Sequence, residues 1–228
     1  MNLTLPTALL AAATMATGAW AVTYATAVDW DGDAAGFVTG TTPFTPGQMG
    51  PDADPDRRDG RNALGAPDAV FLSLTGGRAP LGQAVFSFGD PLAPTAFDGG
   101  MIEVTEVTYS CVNDPSLIDP VTGLCNGFPE TAELYVGASY TPGEDVTQSF
   151  TRIGTLFNGH QIGGALAATV NVPFTYVAVV NGDITSLSDG FDIDAVGITP
   201  VPLPAGVTLL ALSLAGLGVA RVSRRRKG

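Results

Sequence analysis

Short alternating segments dominate the middle of the chain. In the stretch 101–110, Ile102 and Val104 alternate with Glu103 and Thr105, the period of two expected of a β-strand with one buried face. Similar segments, rich in β-branched and aromatic residues and bounded by Gly, Pro, Asn or Asp, predict strands at 69–74, 83–89, 101–110, 131–140, 151–159, 165–172, 175–182 and 190–198. No segment between the two termini has the 3.6-residue period of an amphipathic helix. The pattern therefore predicts an all-β fold, a jelly-roll β-sandwich of about eight strands.

Both ends of the chain carry apolar runs of a different kind. The apolar stretch 5–13 is followed by small residues and by two A-x-A patterns, which end at Ala21 and Ala27, an order typical of a secretory signal peptide. The run 205–220 contains no charged residue and is followed by basic ones, as in a transmembrane helix with a cytoplasmic basic end. An N-terminal hydrophobic strand or helix of the fold and a plain tail anchor are the alternatives. We expect a signal peptide at 1–27, a sandwich domain at 28–200 and a membrane segment at 201–228.

Charge is divided unequally between the body and the C-terminal tail. The chain has 22 acidic and 10 basic residues, and five of the basic residues lie in the last eight positions. The body holds all 22 acidic residues and the other five basic ones, a net charge of −17, and it has no lysine. Such a body repels nucleic acid and anionic lipid headgroups, so neither is an expected partner. It could attract divalent cations.

A proline-containing pentapeptide separates the body from the apolar tail. It consists of Val201, Pro202, Leu203, Pro204 and Ala205, and the two prolines favour an extended, exposed conformation. Together with the apolar run and the arginine-rich end, this segment resembles the VPLPA variant of the PEP-CTERM sorting signal. The resemblance implies a protein of a Gram-negative bacterium that is exported and transiently inserted in the inner membrane. Exosortase, its implied partner, would then cleave it for release or attachment at the cell surface.

Two stretches of the body, "RDGRNALGAPDAVFLSL" (58–74) and "SDGFDIDAVGI" (188–198), are similar to the first and last strand regions of discoidin-like, galactose-binding-like domains. The resemblance implies a sandwich that binds glycans or surfaces. It also implies a structural calcium ion between the last strand and an early loop, the loop that contains Asp59, Asn62 and Asp68. The residues that match such a site are Asp59, Asn62, Asp68, Asp192 and Asp194. Because alternation places Phe191 and Ile193 on the core face, both aspartates of the last strand should point the other way. Solvated aspartates are the alternative.

Elsewhere the chain has few residues that are candidates for catalysis, disulfide formation or metal binding. Cys111 and Cys125 flank a turn-rich segment between two predicted strands, and in an exported protein they are expected to form a disulfide that closes a hairpin loop. A catalytic thiol is the alternative, and its base would be His160, the only histidine. The stretch "DWDGD" (29–33) has carboxylates at alternate positions but lacks the glycine and glutamate of an EF-hand.

No catalytic residue is assigned, because neither a G-x-S-x-G motif nor a distinctive Ser-His-Asp arrangement occurs. The sequence predicts an exported, non-enzymatic surface or extracellular-matrix protein that binds extracellular polysaccharide. A glycan hydrolase with unidentified paired carboxylates and a purely structural matrix protein are the alternatives. Structural calcium is the only cofactor expected.

Overall fold

The computed structural model describes residues 21–31, 36–40, 57, 59–68, 70–74, 82–107, 115–117, 119–121, 130–157, 166–182 and 190–200. Most of the predicted signal segment, Cys111, Cys125, His160 and the sorting motif at 201–205 lie outside the described residues. Within those ranges, no helix has the length and apolar character needed to span a bilayer.

The larger of two antiparallel sheets has six strands. They are β2 (Ala27–Trp30), β3 (Val38–Thr39), β5 (Gln83–Ser87), β9 (Thr131–Gly137), β10 (Thr151–Phe157) and β12 (Tyr176–Asn181). They lie in the order β10-β9-β12-β5-β2-β3. β12, from late in the chain, is therefore paired between β9 and β5, so this sheet is assembled from distant parts of the sequence.

The second antiparallel sheet has five strands. They are β1 (Thr23–Tyr24), β4 (Leu72–Ser73), β8 (Gly100–Glu106), β11 (Leu166–Val170) and β13 (Asp192–Pro200). Their order is β1-β13-β8-β11, and β4 also pairs with β13. A two-stranded hairpin and three short helices complete the described part: β6 (Gly89–Asp90), β7 (Ala93–Pro94), the α-helix α1 (Val146–Ser149) and the 3-10 turns Gly60–Ala63 and Pro115–Leu117.

The hydrophobic core lies between these two sheets. Alternation positions its residues: Ile102 and Val104 of β8 are fully buried, whereas the intervening Glu103 and Thr105 are half-exposed. The larger sheet contributes big side chains to the same core, among them Trp30, Phe86 and Leu134. The all-β, two-sheet architecture expected from the sequence is confirmed, and each of the eight predicted segments contains a strand.

The segment that contains the two cysteines does not connect a hairpin. It begins after β8 in the five-stranded sheet and ends before β9 in the six-stranded sheet, so the chain crosses between sheets there. The expectation that Cys111 and Cys125 close a hairpin loop is therefore wrong about the flanking strands, because strands adjacent in sequence need not pair. The disulfide itself stays a prediction.

The sandwich begins before residue 28. Thr23 and Tyr24 pair with β13, and Ala27 pairs with Ser87 and Thr39 as the first residue of β2. Ala25 and Ala27 are almost completely buried. Residues that the A-x-A pattern assigned to the signal peptide are thus part of the sandwich, since small residues serve equally well at a cleavage site and in a tightly packed strand.

Candidate functional site

The five residues that were matched to a calcium site come from two parts of the chain that the fold brings together. Asp192 and Asp194 flank the core residue Ile193 on β13, and both are buried despite facing away from the core. The early loop covers them, and the backbone N–H of Asp68 donates a 3.0 Å hydrogen bond to Oδ1 of Asp194. Asp68 and Asp194 are therefore neighbours, as the sequence pattern suggested.

Protein groups already interact with the other matched residues. Asp59 accepts hydrogen bonds from Arg61, from Nε at 2.9 Å and from the backbone N–H at 3.0 Å, and it caps the 3-10 turn Gly60–Ala63. The Arg61 hydrogen bond to this side chain holds the pKa of the Asp59 carboxyl below its usual value. Asn62 donates from Nδ2 to the carbonyl of Phe71 at 3.1 Å. These contacts stabilise the early loop, and its 3-10 turn packs against β13 and β2.

Calcium binding stays a prediction. Among the described residues, no three acidic, histidine or cysteine side chains stand close enough together to hold a metal ion.

If calcium binds the folded protein, the melting temperature should rise with calcium and fall with EGTA, by the equivalent of about 2.7 kcal/mol at a hundredfold excess over Kd. Asp194→Asn should remove that response, and Asp98→Asn, at an exposed position of the β7–β8 connection, should not. A melting curve indifferent to EGTA at low salt would show that no such site exists.

A second group of polar and aromatic side chains lies on the six-stranded sheet, on the face that points away from the core. A small apolar cluster covers this face, formed by Val85, Ala178 and Val180 from the strands and by Val146 and Phe150 from the segment around α1. The segment 138–150 leaves β9, crosses the face and returns as β10. This cluster gives the outer face an apolar base on which larger aromatic side chains rest.

Three tyrosines, Tyr135, Tyr140 and Tyr176, surround this cluster, and we call them the tyrosine surface. Each is half-buried and so presents part of its ring to solvent. Tyr176 lies opposite Gly137, and Tyr135 lies opposite Ala178, so the two tyrosines are diagonal neighbours on β12 and β9. The rings of Tyr140 and Tyr176 are 5.9 Å apart between centroids. Tyr140 and Tyr176 therefore contact each other, and Tyr135 lies beside them on the adjacent strand, so the three form a partly exposed aromatic patch.

Phe37 and Phe150 support the patch from either side. Phe37 stacks on Tyr176 at 6.0 Å and meets Tyr140 edge to face at 5.8 Å. Phe150 contacts Tyr140 edge to face at 6.0 Å. Gly137 makes room for Phe150, because a Cβ atom at that position would lie 2.5 Å from its ring. Aromatic packing of this kind fixes ring orientation in addition to burying area.

Two buried polar side chains position the patch from below. Asp29 accepts a hydrogen bond from the Tyr140 hydroxyl at 2.9 Å and another from the backbone N–H of Gly36 at 3.2 Å. Gln83 donates to the carbonyl of Glu144 at 2.6 Å and accepts from the backbone N–H of Val146 at 3.2 Å. Both side chains are at least nine-tenths buried. The "DWDGD" stretch that resembled a calcium loop therefore contributes a strand carboxylate that orients a tyrosine.

Burial raises the pKa of Tyr140 well above its ordinary value, and the nearby carboxylates Asp29 and Asp31 raise it further. The phenol is therefore protonated at physiological pH and donates its hydrogen bond to Asp29. A group whose pKa is raised on folding contributes stability below its unfolded pKa, about 10 for tyrosine, and loses it as the pH rises through the folded value.

Tyr140→Phe should lower the free energy of unfolding by about 1–3 kcal/mol, because a buried carboxylate oxygen loses its donor. Chemical denaturation of the two proteins at pH 7 measures this difference. The same change at Tyr24, on the other sheet, is the control. Between the wild type and Tyr140→Phe the difference should shrink above about pH 10. Equal stability at pH 7 would contradict the assigned role of the hydrogen bond.

Beside the patch, the open edge of the sheet carries an ion pair. Arg152 on β10 pairs with Glu133 on β9, and its Nη2 donates to the hydroxyl of Thr155 at 2.7 Å. Thr155 in turn donates to Oε1 of Glu133 at 2.9 Å. The hydrogen bond to Glu133 raises the pKa of Arg152. The outer face thus combines aromatic rings with a row of exposed hydrogen-bonding groups.

The tyrosine surface was not predicted from the sequence. A signal was present: Tyr135 and Tyr176 both occupy strand positions that alternate with core residues, so both had to face outward. Their proximity depends on β12 pairing with β9, which the order of strands along the chain does not reveal.

Comparison with known proteins finds distant structural similarity only. No family matches the sequence, and no curated protein matches it. The C-terminal domain of a chitobiase from Bacteroides fragilis is similar with a TM-score of 0.35 and 11% identity, over 63% of this chain and 85% of that one. The CBM32 of AlyQ in complex with 4,5-unsaturated mannuronic acid is similar with a TM-score of 0.33 and 12% identity, over 58% and 88% of the two chains. These values assign no residue and no ligand to this chain.

Proposed function

We propose that this protein is an exported, non-catalytic glycan-binding module and that the tyrosine surface is its binding face. The observation that carries the proposal is the partly exposed aromatic patch on the outer face of the six-stranded sheet, bordered by Arg152, Glu133 and Thr155. The C–H faces of a sugar ring pack against flat aromatic rings, and its hydroxyls need donors and acceptors at the border. Tyrosine suits this use because it offers rigid, amphipathic area at a low entropic cost.

The supporting structure around the patch favours binding over a purely structural role. Asp29 and Gln83 hold the segment 138–150 and Tyr140 from beneath, so the rings are oriented before any ligand arrives. Preorganisation of this kind lowers the entropic cost of binding. If the three tyrosines only stabilised the fold, they could be fully buried. All three instead stay partly exposed to solvent.

Retention on glycans tests the proposal. The exported protein should be retarded in native gels that contain soluble polysaccharide, and calorimetry should give a saturable Kd for oligosaccharides of the retained class. The hydrolase alternative predicts new reducing ends in the same mixtures. The matrix-protein alternative predicts neither retention nor cleavage, and that result would contradict the proposed function.

We also propose the cellular route suggested by the two ends of the chain. It comprises export, passage through the inner membrane of a Gram-negative bacterium, and exosortase cleavage near Val201–Ala205 before delivery to the surface or the extracellular polysaccharide. Intact mass of the surface-released protein measures the outcome. A released protein that retains residues 206–228 would contradict sorting and favour a simple anchor.

A further inference from the structure

We infer that the tyrosine surface takes uncharged glycans and discriminates against uronic acids and other anionic sugars. The inference rests on the proposed function and adds the chemical class of the ligand. It follows from how charges are arranged on and around this one face. Uronic acids and neutral sugars present similar ring faces to an aromatic patch. The charges around the patch therefore decide which of the two classes binds.

Among the described residues, one basic side chain lies beside the patch, and an acidic neighbour already pairs with it. The described residues include three basic ones, Arg57, Arg61 and Arg152. Arg57 stacks over Phe71 and Arg61 pairs with Asp59, so both belong to the early loop. Arg152 borders the patch, but Glu133 compensates its charge.

The geometry of the Arg152 pair disfavours an anionic ligand further. Nε donates to Glu133, Nη2 donates to Thr155, and Thr155 donates to Glu133, so the three side chains form a closed set of hydrogen bonds. These bonds use two of the five N–H donors of the guanidinium, and a uronate that reached the remaining donors would place its carboxylate close to that of Glu133. Two carboxylates side by side repel each other unless a cation lies between them.

In the described part of the chain, the other charged side chains placed near the patch are negative. Asp29 and Asp31 act electrostatically on Tyr140, and Glu144 and Asp145 lie on the segment that crosses the face. The body as a whole carries a net charge of −17. Its field lowers the local concentration of polyanions, most strongly at low ionic strength. A neutral sugar is unaffected by this field, and its hydroxyls can donate to Glu133 and accept from the remaining N–H groups of Arg152.

A paired titration of the exported protein tests the inference. Neutral oligosaccharides from β-glucan, galactan and mannan and anionic ones from alginate and polygalacturonate are titrated in EGTA, at low salt and at 0.5 M salt. We expect at least one neutral glycan to bind with little salt dependence, and the uronates to bind at least about tenfold more weakly at low salt. Salt should narrow the gap. Uronates that bind as tightly as neutral glycans at low salt would overturn the inference.

Two matched variants separate the local pair from the overall charge. Glu133→Gln removes one negative charge beside Arg152, and Glu103→Gln removes one from the outer face of the other sheet. Glu133→Gln should raise the ratio of uronate affinity to neutral-glycan affinity about three- to tenfold. Glu103→Gln should raise this ratio much less. Equal ratios in the two variants would overturn the role assigned to the Arg152–Glu133 pair. Melting curves confirm that both variants fold. Absence of binding to every glycan would instead overturn the proposed function.

Discussion

Tyr176→Leu is expected to lower affinity for the bound glycan at least about tenfold, which corresponds to about 1.4 kcal/mol. Leucine preserves apolar bulk beside Phe37 but removes the flat ring on which a sugar would stack. Tyr135→Leu should have an effect in the same direction, because Tyr135 is the diagonal neighbour of Tyr176 on the adjacent strand. Isothermal calorimetry with the best neutral oligosaccharide measures both.

The control for these variants is Leu92→Ala. Leu92 is 94% exposed at the tip of the β6–β7 hairpin, so it is the most solvent-accessible large apolar side chain in the described ranges, and it is not part of the apolar cluster beneath the tyrosine surface. Its removal should leave glycan affinity unchanged. If Leu92→Ala weakens binding as much as Tyr176→Leu does, or if both tyrosine variants bind normally, the binding face lies elsewhere. A melting curve on each variant shows whether any loss of binding merely reflects unfolding.

Much of the fold could be predicted because burial on one face leaves a period of two. That pattern located β8, and enrichment in β-branched and aromatic residues located β9, β12 and β13, all of which the structure contains. The two-residue strands β1 and β3 could not be found in this way, since two residues do not define a period. β2 was missed for another reason: all four of its residues are buried, and Asp29 in its centre resembled part of a polar loop.

The candidate sites were predictable to different degrees. The proximity of Asp68 to Asp194 was predicted, although 126 positions separate them. It was predicted from the resemblance to discoidin-like domains, in which the early loop meets the last strand. The tyrosine surface needed the pairing of β9 with β12 and the path of segment 138–150 across the sheet. Neither is encoded in local periodicity, because pairing between distant strands is decided by how the whole core packs.

β13 shows how a local irregularity changes a prediction that alternation alone would make. Strict alternation would send Ile193, Ala195 and Gly197 to the same face. The pairing of β13 with β8 shifts register between Ile193 and Ala195, and the core residues beyond the shift are Val196 and Ile198. A β-bulge of this kind inserts one residue and reverses the phase of the strand. The bulge leaves Asp194 directed at the early loop while the core stays continuous.

The N-terminal boundary carries the second large prediction: a chain that begins at Val28 should be much less stable than one that begins at Val22. Ala25 donates to the carbonyl of Val196 at 2.9 Å and accepts from the N–H of Gly65 at 3.0 Å. Thr26 donates from its N–H to the carbonyl of Ser87 at 3.0 Å and from its hydroxyl to the carbonyl of Gly89 at 2.6 Å. Residues 25 and 26 thereby join the five-stranded sheet, the early loop and the six-stranded sheet.

Loss of these four hydrogen bonds alone should lower the free energy of unfolding by about 2–6 kcal/mol, a large share of the roughly 5–15 kcal/mol of a typical domain. Urea denaturation of the chains 22–200 and 28–200 measures the difference.

For the same reason, we expect signal peptidase to use the first A-x-A pattern, so that N-terminal sequencing of the exported protein begins at Val22. Cleavage after Ala27 would remove β1 and the first residue of β2. A mature N-terminus at Val28, together with equal urea midpoints for the two chains, would show that residues 22–27 do not contribute to the stability of the sandwich.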